Sequence, residues 1–187
     1  MIDWNEILEF LQPKDSPYCP ETPSLTQKVF LRTYALEALF GGAAGGGKSS
    51  ALLMAALQYV DVPGYNAIIF RRTYADLALP GAIMDRFTAW ISEVDDIRWN
   101  GSIYVATFPS GARVSFGYLN NSQDYLRYKG AEFQFIGMDE VTEIREHDYR
   151  YLFSRLRRPA TGPVSKVPIR MRAASNPAPN WVRQRFI

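Results

Sequence analysis

Gly42-Ala43-Ala44-Gly45-Gly46-Gly47-Lys48-Ser49 occupies every fixed position of the pattern G-x-x-x-x-G-K-[ST]. Its flanks restrict the fold further. Tyr34 to Phe40 (YALEALF) is short and apolar and reads as a buried strand. Lys48 to Val60 (KSSALLMAALQYV) is rich in helix formers with an apolar face. A strand, a glycine loop and a helix in that order make a cradle for phosphate. Glycines let backbone N–H groups approach phosphate oxygens with no Cβ in the way, and the helix N-terminus adds partial positive charge. Lys48 is placed to reach the β- and γ-phosphates, and Ser49 to offer a hydroxyl to Mg²⁺. The expected nucleotide-binding set is Gly42, Ala43, Ala44, Gly45, Gly46, Gly47, Lys48, Ser49 and Ser50, with ATP and Mg²⁺ as ligands.

A loop of this kind needs a second acidic element. Phe133 to Met138 (FQFIGM) is an apolar strand that runs straight into Asp139-Glu140. Adjacent acids at the end of a buried strand are costly unless they have a task. Asp139 is suited to holding Mg²⁺. Glu140 is suited to polarising the attacking water as a general base, which favours hydrolysis over transfer to a small acceptor. A third polar strand end is Ser175-Asn176-Pro177, after Pro168–Ala174. Polar groups at the carboxyl edge of a parallel sheet lie near a nucleotide crevice. Asn176 there would orient the water or sense the γ-phosphate, or would simply start a turn before Pro177.

The rest of the chain supports an α/β fold with a mostly parallel sheet and helices on both faces. Ala67–Phe70 is a second short buried strand. Arg71–Leu77 is a polar stretch leading to a helix near Ile83–Ile91. Residues 97–117 read as a β-hairpin about Pro109-Ser110-Gly111, and Asp148–Arg157 as a helix. At the N-terminus, Asp3 to Leu11 has helical spacing, and the prolines of residues 12–24 suggest an extended arm. The division expected is residues 1–24 as helix and arm, and 25–187 as one catalytic domain.

Composition excludes other classes. With 47% hydrophobic and 21% charged residues the chain can build a core. Its longest apolar runs fall far short of the ~20 residues of a membrane helix, and no membrane contact is expected. One cysteine, Cys19, and one histidine, His147, exclude an intrachain disulfide and the usual Cys/His zinc site. Charge is uneven. Residues 145–187 hold ten of the 21 Lys and Arg but two of the 19 Asp and Glu, a local +8 against −6 for residues 1–144. The basic end suits a polyanion or an acidic partner, or is a solvated face.

Taken together, EALFGGAAGGGKSSALL (Glu37–Leu53), RRTYADL (Arg71–Leu77), YLRYKGAEFQFIGMDEVTEI (Tyr125–Ile144), YLFSRLRRP (Tyr151–Pro159) and AASNPAPNWVRQRFI (Ala173–Ile187) resemble the ATPase domain of phage large terminases, the DNA-packaging motors. The resemblance covers about residues 25–187. It implies a RecA-like phosphate-loop NTPase working as a ring at the portal of a procapsid and translocating double-stranded DNA. The small terminase subunit is a further partner, the host cytoplasm the location, and the chain alone a weak ATPase and mostly monomeric. It also implies that Gln27, before the first strand, reads the adenine edge, unless it is a surface glutamine. The family places a trans-acting arginine before the second acidic strand, typically as Arg-Gly. Here the pair is Lys129-Gly130, a departure, because lysine lacks the planar fork. Arg127 and Arg155 are the other candidates.

A second departure is the nuclease domain that the family carries after its ATPase domain. Residues 145–187 have only Glu146 and Asp148 as acids, too few for a two-metal nuclease centre. No nuclease activity is expected from these residues, and the last strands of the ATPase sheet are expected to be missing. Two other readings stay open from sequence: another RecA-like helicase or remodelling ATPase, and a nucleotide-binding remnant without turnover.

Overall fold

The computed structural model describes residues 16–43 and 45–187. The helix expected over Asp3–Leu11, the first part of the arm and Ala44 lie outside the described residues.

The chain runs α1 (Leu25–Arg32), β1 (Glu37–Gly41), α2 (Lys48–Leu57), β2 (Asn66–Arg71), α3 (Tyr74–Ala78), α4 (Ile83–Ile91), β3 (Arg98–Asn100), β4 (Val105–Thr107), β5 (Arg113–Tyr118), β6 (Phe135–Asp139), α5 (Glu146–Phe153), β7 (Arg170–Ser175) and α6 (Trp181–Phe186). The strands form one sheet in the order β1-β7-β6-β2-β5-β4-β3. The first five are mutually parallel, and β4 and β3 add on antiparallel. It is the α/β architecture expected, a mostly parallel sheet with helices on both faces.

Alternation along the strands divides the core. Ala67, Ile69, Val114, Phe116, Phe135 and Ala174 pack under α2 and α4. Ile68, Phe70, Ile136, Met138, Met171 and Ala173 face the other way, against α5 and α6. α2 is buried almost all round, from Lys48 to Leu57, which explains why its apolar residues show no single stripe.

Several elements differ from the sequence reading. Residues 25–32, after the arm, form a helix, α1, for which the sequence reading gives no element. Ser24 caps it, accepting from the Gln27 N–H while the Gln27 side chain accepts from the Ser24 N–H, a reciprocal capping box. The first strand starts at Glu37 rather than Tyr34, which is exposed. The expected hairpin is three-stranded. Ile103 falls in the exposed β3–β4 turn, and β5 uses its second edge to pair with β2. The helix over 148–157 is Glu146–Phe153 instead. Its continuation straightens to bridge the residues before β6, with the Phe133 N–H on the Arg155 carbonyl and the Arg157 N–H on the Phe133 carbonyl, each 3.0 Å.

The basic end is only partly a free surface. Arg170 and Arg172 lie buried in β7, with guanidinium groups on the carbonyls of Leu31, Thr33 and Ala35 and on Gln58 Oε1. Burial pushes the Arg172 pKa down to about 10. Arg145, Arg157 and Arg185 pair with Asp148, Glu132 and Glu37. Arg150, Arg158 and Arg183 remain exposed.

Candidate active site

The sheet order collects the expected residues. Inserting β7 between β1 and β6 puts Gly41 opposite Ser175, and Asp139 opposite Ala174. The next residues of three separate segments, the glycine loop, Asn176 and Glu140, therefore leave the sheet at the same carboxyl edge.

The loop turns through left-handed glycines at Gly45 (φ 78°) and Gly47 (φ 70°) before entering α2. At Gly47 a Cβ would also stand 2.7 Å from Gln27 Nε2. That amide donates to the Gly47 carbonyl at 2.9 Å, and its oxygen accepts from Ser24 N at 2.8 Å. Gln27 is thus a buried clamp on the loop rather than a surface residue, with both ends of the amide engaged within the chain.

Lys48 is 8% exposed. Its ammonium donates to the carbonyls of Gly42 (3.2 Å) and Ala43 (2.8 Å) and to Asn176 Oδ1 (2.9 Å). Asn176 therefore touches the loop lysine directly. Ser49 Oγ donates to Asp139 Oδ1 at 3.0 Å, so the two expected metal-holding oxygens converge. The Ser50 hydroxyl instead accepts from Arg86 of α4.

Asp139 is 2% exposed. Desolvation raises its pKa to about 6, against the lowering effects of the Arg71 charge and the Ser49 hydrogen bond. Glu140 has left-handed backbone angles, φ 50° and ψ 52°, a conformation costly for a residue with a Cβ and typical of functional sites. Its Oε2 accepts from Ser175 Oγ at 3.1 Å, and Ser175 lies 2.6 Å from Thr142 Oγ1. Asn180 and Trp181, at the start of α6, donate to the carbonyls of Thr142 and Ile144.

Sequence reasoning missed two participants. Arg71, the last residue of β2, has Nε 3.3 Å from Asp139 Oδ2. Ser175 holds Glu140. The signal for Ser175 was present in the Ser175-Asn176-Pro177 strand end, but only Asn176 was given a role. Arg71 had no local signal, because its neighbour across the sheet is set by β2 lying beside β6.

The three candidate trans-acting cations differ in their surroundings within the chain. Arg127, in the 3₁₀ turn Asp124–Tyr128, pairs with Asp124 at 3.0 Å and stacks over Tyr118. Lys129 ends that turn, exposed. Arg155 stacks over Tyr151, beside the residues that enter β6, at the sheet end opposite the loop.

Among the described residues no group of three or more His, Cys, Asp or Glu could hold a metal unaided. Hard oxygens from one hydroxyl and one carboxylate nonetheless suit Mg²⁺, which keeps several waters and takes phosphate oxygens as further ligands.

Comparison with known proteins agrees with this geometry. No curated protein sequence matches the chain. Solved structures do share the fold. The large terminase of bacteriophage HK97 superposes with a TM-score of 0.65 at 12% identity, over 94% of this chain and 38% of that one. The large terminase ATPase domain of Thermus phage P74-26 gives 0.62 at 16%, over 92% and 74%. The viral genome packaging motor assembly of bacteriophage Phi-29 gives 0.53 at 17%, over 88% and 51%. The chain thus spans about two fifths of the HK97 protein. The family described as terminase large subunit, T4likevirus-type, N-terminal, matches residues 39–161, about two thirds of the sequence, and this chain belongs to that family.

Proposed function

We propose that this chain is the ATP-hydrolysing motor part of a phage DNA-packaging terminase, coupling Mg²⁺-dependent ATP hydrolysis to movement of double-stranded DNA into a procapsid. The observation that carries the reading is the convergence of Lys48, Asn176, Ser49, Asp139 and Glu140 at one sheet edge. Family membership and the ATPase domain of the P74-26 relative support it.

The residues divide the work. Backbone N–H groups of the loop and the first turn of α2 bind the phosphates, and Lys48 neutralises β/γ charge. Ser49 and Asp139 would hold Mg²⁺, which supplies charge neutralisation at the phosphates. Glu140 accepts the proton of the attacking water. Ser175 fixes one of its oxygens, leaving Oε1 for that proton. Asn176 joins the loop lysine to β7. From Thr142 and Ile144, hydrogen bonds continue to α6, a route by which a change at Glu140 reaches the protein surface.

Double-stranded DNA, the portal, a small subunit and a ring of copies are the partners this reading requires. Of these, only membership of a genome-packaging assembly has support, by likeness of fold to the Phi-29 motor. Lys48→Ala tests the reading at its base. Removing the fixed positive charge should abolish ATP binding and turnover, measured by equilibrium dialysis and phosphate release. An unchanged turnover rate contradicts the assignment.

A further inference from the structure

We infer that Arg71 is a positioning residue of the metal site, holding the Asp139 carboxylate in the orientation that presents it to Mg²⁺. The inference rests on the ATPase reading above.

Three observations point the same way. First, the Asp139 carboxylate is divided between two partners. Oδ1 accepts from Ser49, the hydroxyl that would share the metal, and Oδ2 faces Arg71 Nε at 3.3 Å. One oxygen is thus turned to the loop and the other stands against the Arg71 guanidinium, in a charge contact rather than a hydrogen bond. Second, Arg71 is itself anchored. Its NH1 donates to the Asp76 carbonyl at 2.8 Å. Asp76 is fixed in the first turn of α3 by Thr73, whose hydroxyl caps that helix and donates to the Asp76 carboxylate. Third, Arg71 is the cation paired directly with Asp139 among the described residues. The other nearby cation, Lys48, bonds to Gly42, Ala43 and Asn176 and reaches Asp139 through its charge alone.

Partners behind a metal ligand set its orientation and basicity, and their loss typically weakens metal affinity 10–100-fold. A guanidinium suits this better than an ammonium, because one nitrogen can bond the Asp76 carbonyl while the charge stands beside Asp139. Two rival roles make opposite predictions. A guanidinium that competed with the metal for Asp139 would weaken metal binding, so its removal would tighten it. A purely structural ion pair would change stability and leave metal affinity alone.

The test uses the full chain and a fluorescent non-hydrolysable ATP analogue. Its affinity is measured in excess chelator and in saturating Mg²⁺, and the ratio reports the coupling between metal and nucleotide. Arg71→Gln should keep the affinity in chelator within about twofold and lose ~10–100-fold of the tightening by Mg²⁺. Arg71→Lys should recover part of it. Unchanged or increased tightening in Arg71→Gln overturns the inference. If Arg71→Gln does not fold, judged by circular dichroism, Arg71→Lys decides, and an unaltered ratio there overturns it. Wild-type protein whose affinity ignores Mg²⁺ overturns the ATPase reading itself, and this inference with it.

Discussion

Asp139 carries opposing demands in one side chain. It must be ionised to hold a cation, yet it lies in the sheet edge with almost no solvent contact. Its pKa of about 6 against an ordinary 3.8 records that conflict. The sign follows from linkage. A carboxyl with a raised folded-state pKa binds its proton more tightly when folded. Its cost to stability is therefore absent below the unfolded value, sets in as pH rises from about 4 to 6, and is constant above. Comparing wild type with Asp139→Asn in chelator isolates this term. The difference should move in favour of the asparagine variant by about 1–3 kcal/mol between pH 4 and 7 and then flatten. Urea unfolding at several pH values measures it, and a difference that does not change with pH contradicts the assignment. Glu140 meets a backbone demand instead, a left-handed conformation that follows the last strand residue and turns its carboxylate to Ser175.

At the scale of elements, the parts closest to the chemistry were the most legible. The loop, its flanking strand and helix, and the acidic strand end are local patterns, and each forms close to its expected place, with the strand and helix bounds shifted by two or three residues. α1 was legible too, since Ser24 followed three residues later by Gln27 is a capping-box pattern, but the prolines before it argued for an extended arm. What no local pattern could give was Arg71 beside Asp139, or Arg170 and Arg172 inside β7. Both depend on which strands are neighbours, and that is decided by long-range packing. The buried arginines show why: they satisfy the carbonyls that end α1, groups about 140 residues away in sequence. α1 in turn carries the Gln27 clamp on the phosphate loop. Ser24→Ala should therefore separate the cap from the clamp. It should cost about 1 kcal/mol of stability through the lost cap, read by thermal or urea unfolding. It should leave nucleotide affinity near wild type, because the Gln27 oxygen is held by the Ser24 backbone N–H, which alanine keeps. A large loss of nucleotide affinity would mean that the clamp depends on the Ser24 hydroxyl as well.

For the whole molecule, the arrangement of the seven strands turns separate signals into one site, and assembly into a ring would add a cation from a neighbour. Transition-state charge on the γ-phosphoryl group favours a guanidinium in trans, worth up to ~10³–10⁵ in turnover. Mixing Lys48→Ala subunits with Arg127→Ala, Lys129→Ala or Arg155→Ala subunits under assembling conditions tests each candidate. The true trans residue should recover activity in its mixture, because one subunit brings an intact nucleotide site and the other an intact cation. Failure of all three mixtures removes these residues from the role. The central claim, that the edge shared by β1, β7 and β6 hydrolyses ATP with Glu140 as the base, is tested most directly by one variant. For Glu140→Gln, ATP binding and phosphate release are measured on the same preparation, with Glu143→Gln as the control. The account predicts ATP affinity close to wild type and turnover lower by about 10²–10⁴-fold in Glu140→Gln, with Glu143→Gln near normal. Normal hydrolysis in Glu140→Gln, with loss in Glu143→Gln instead, would contradict it.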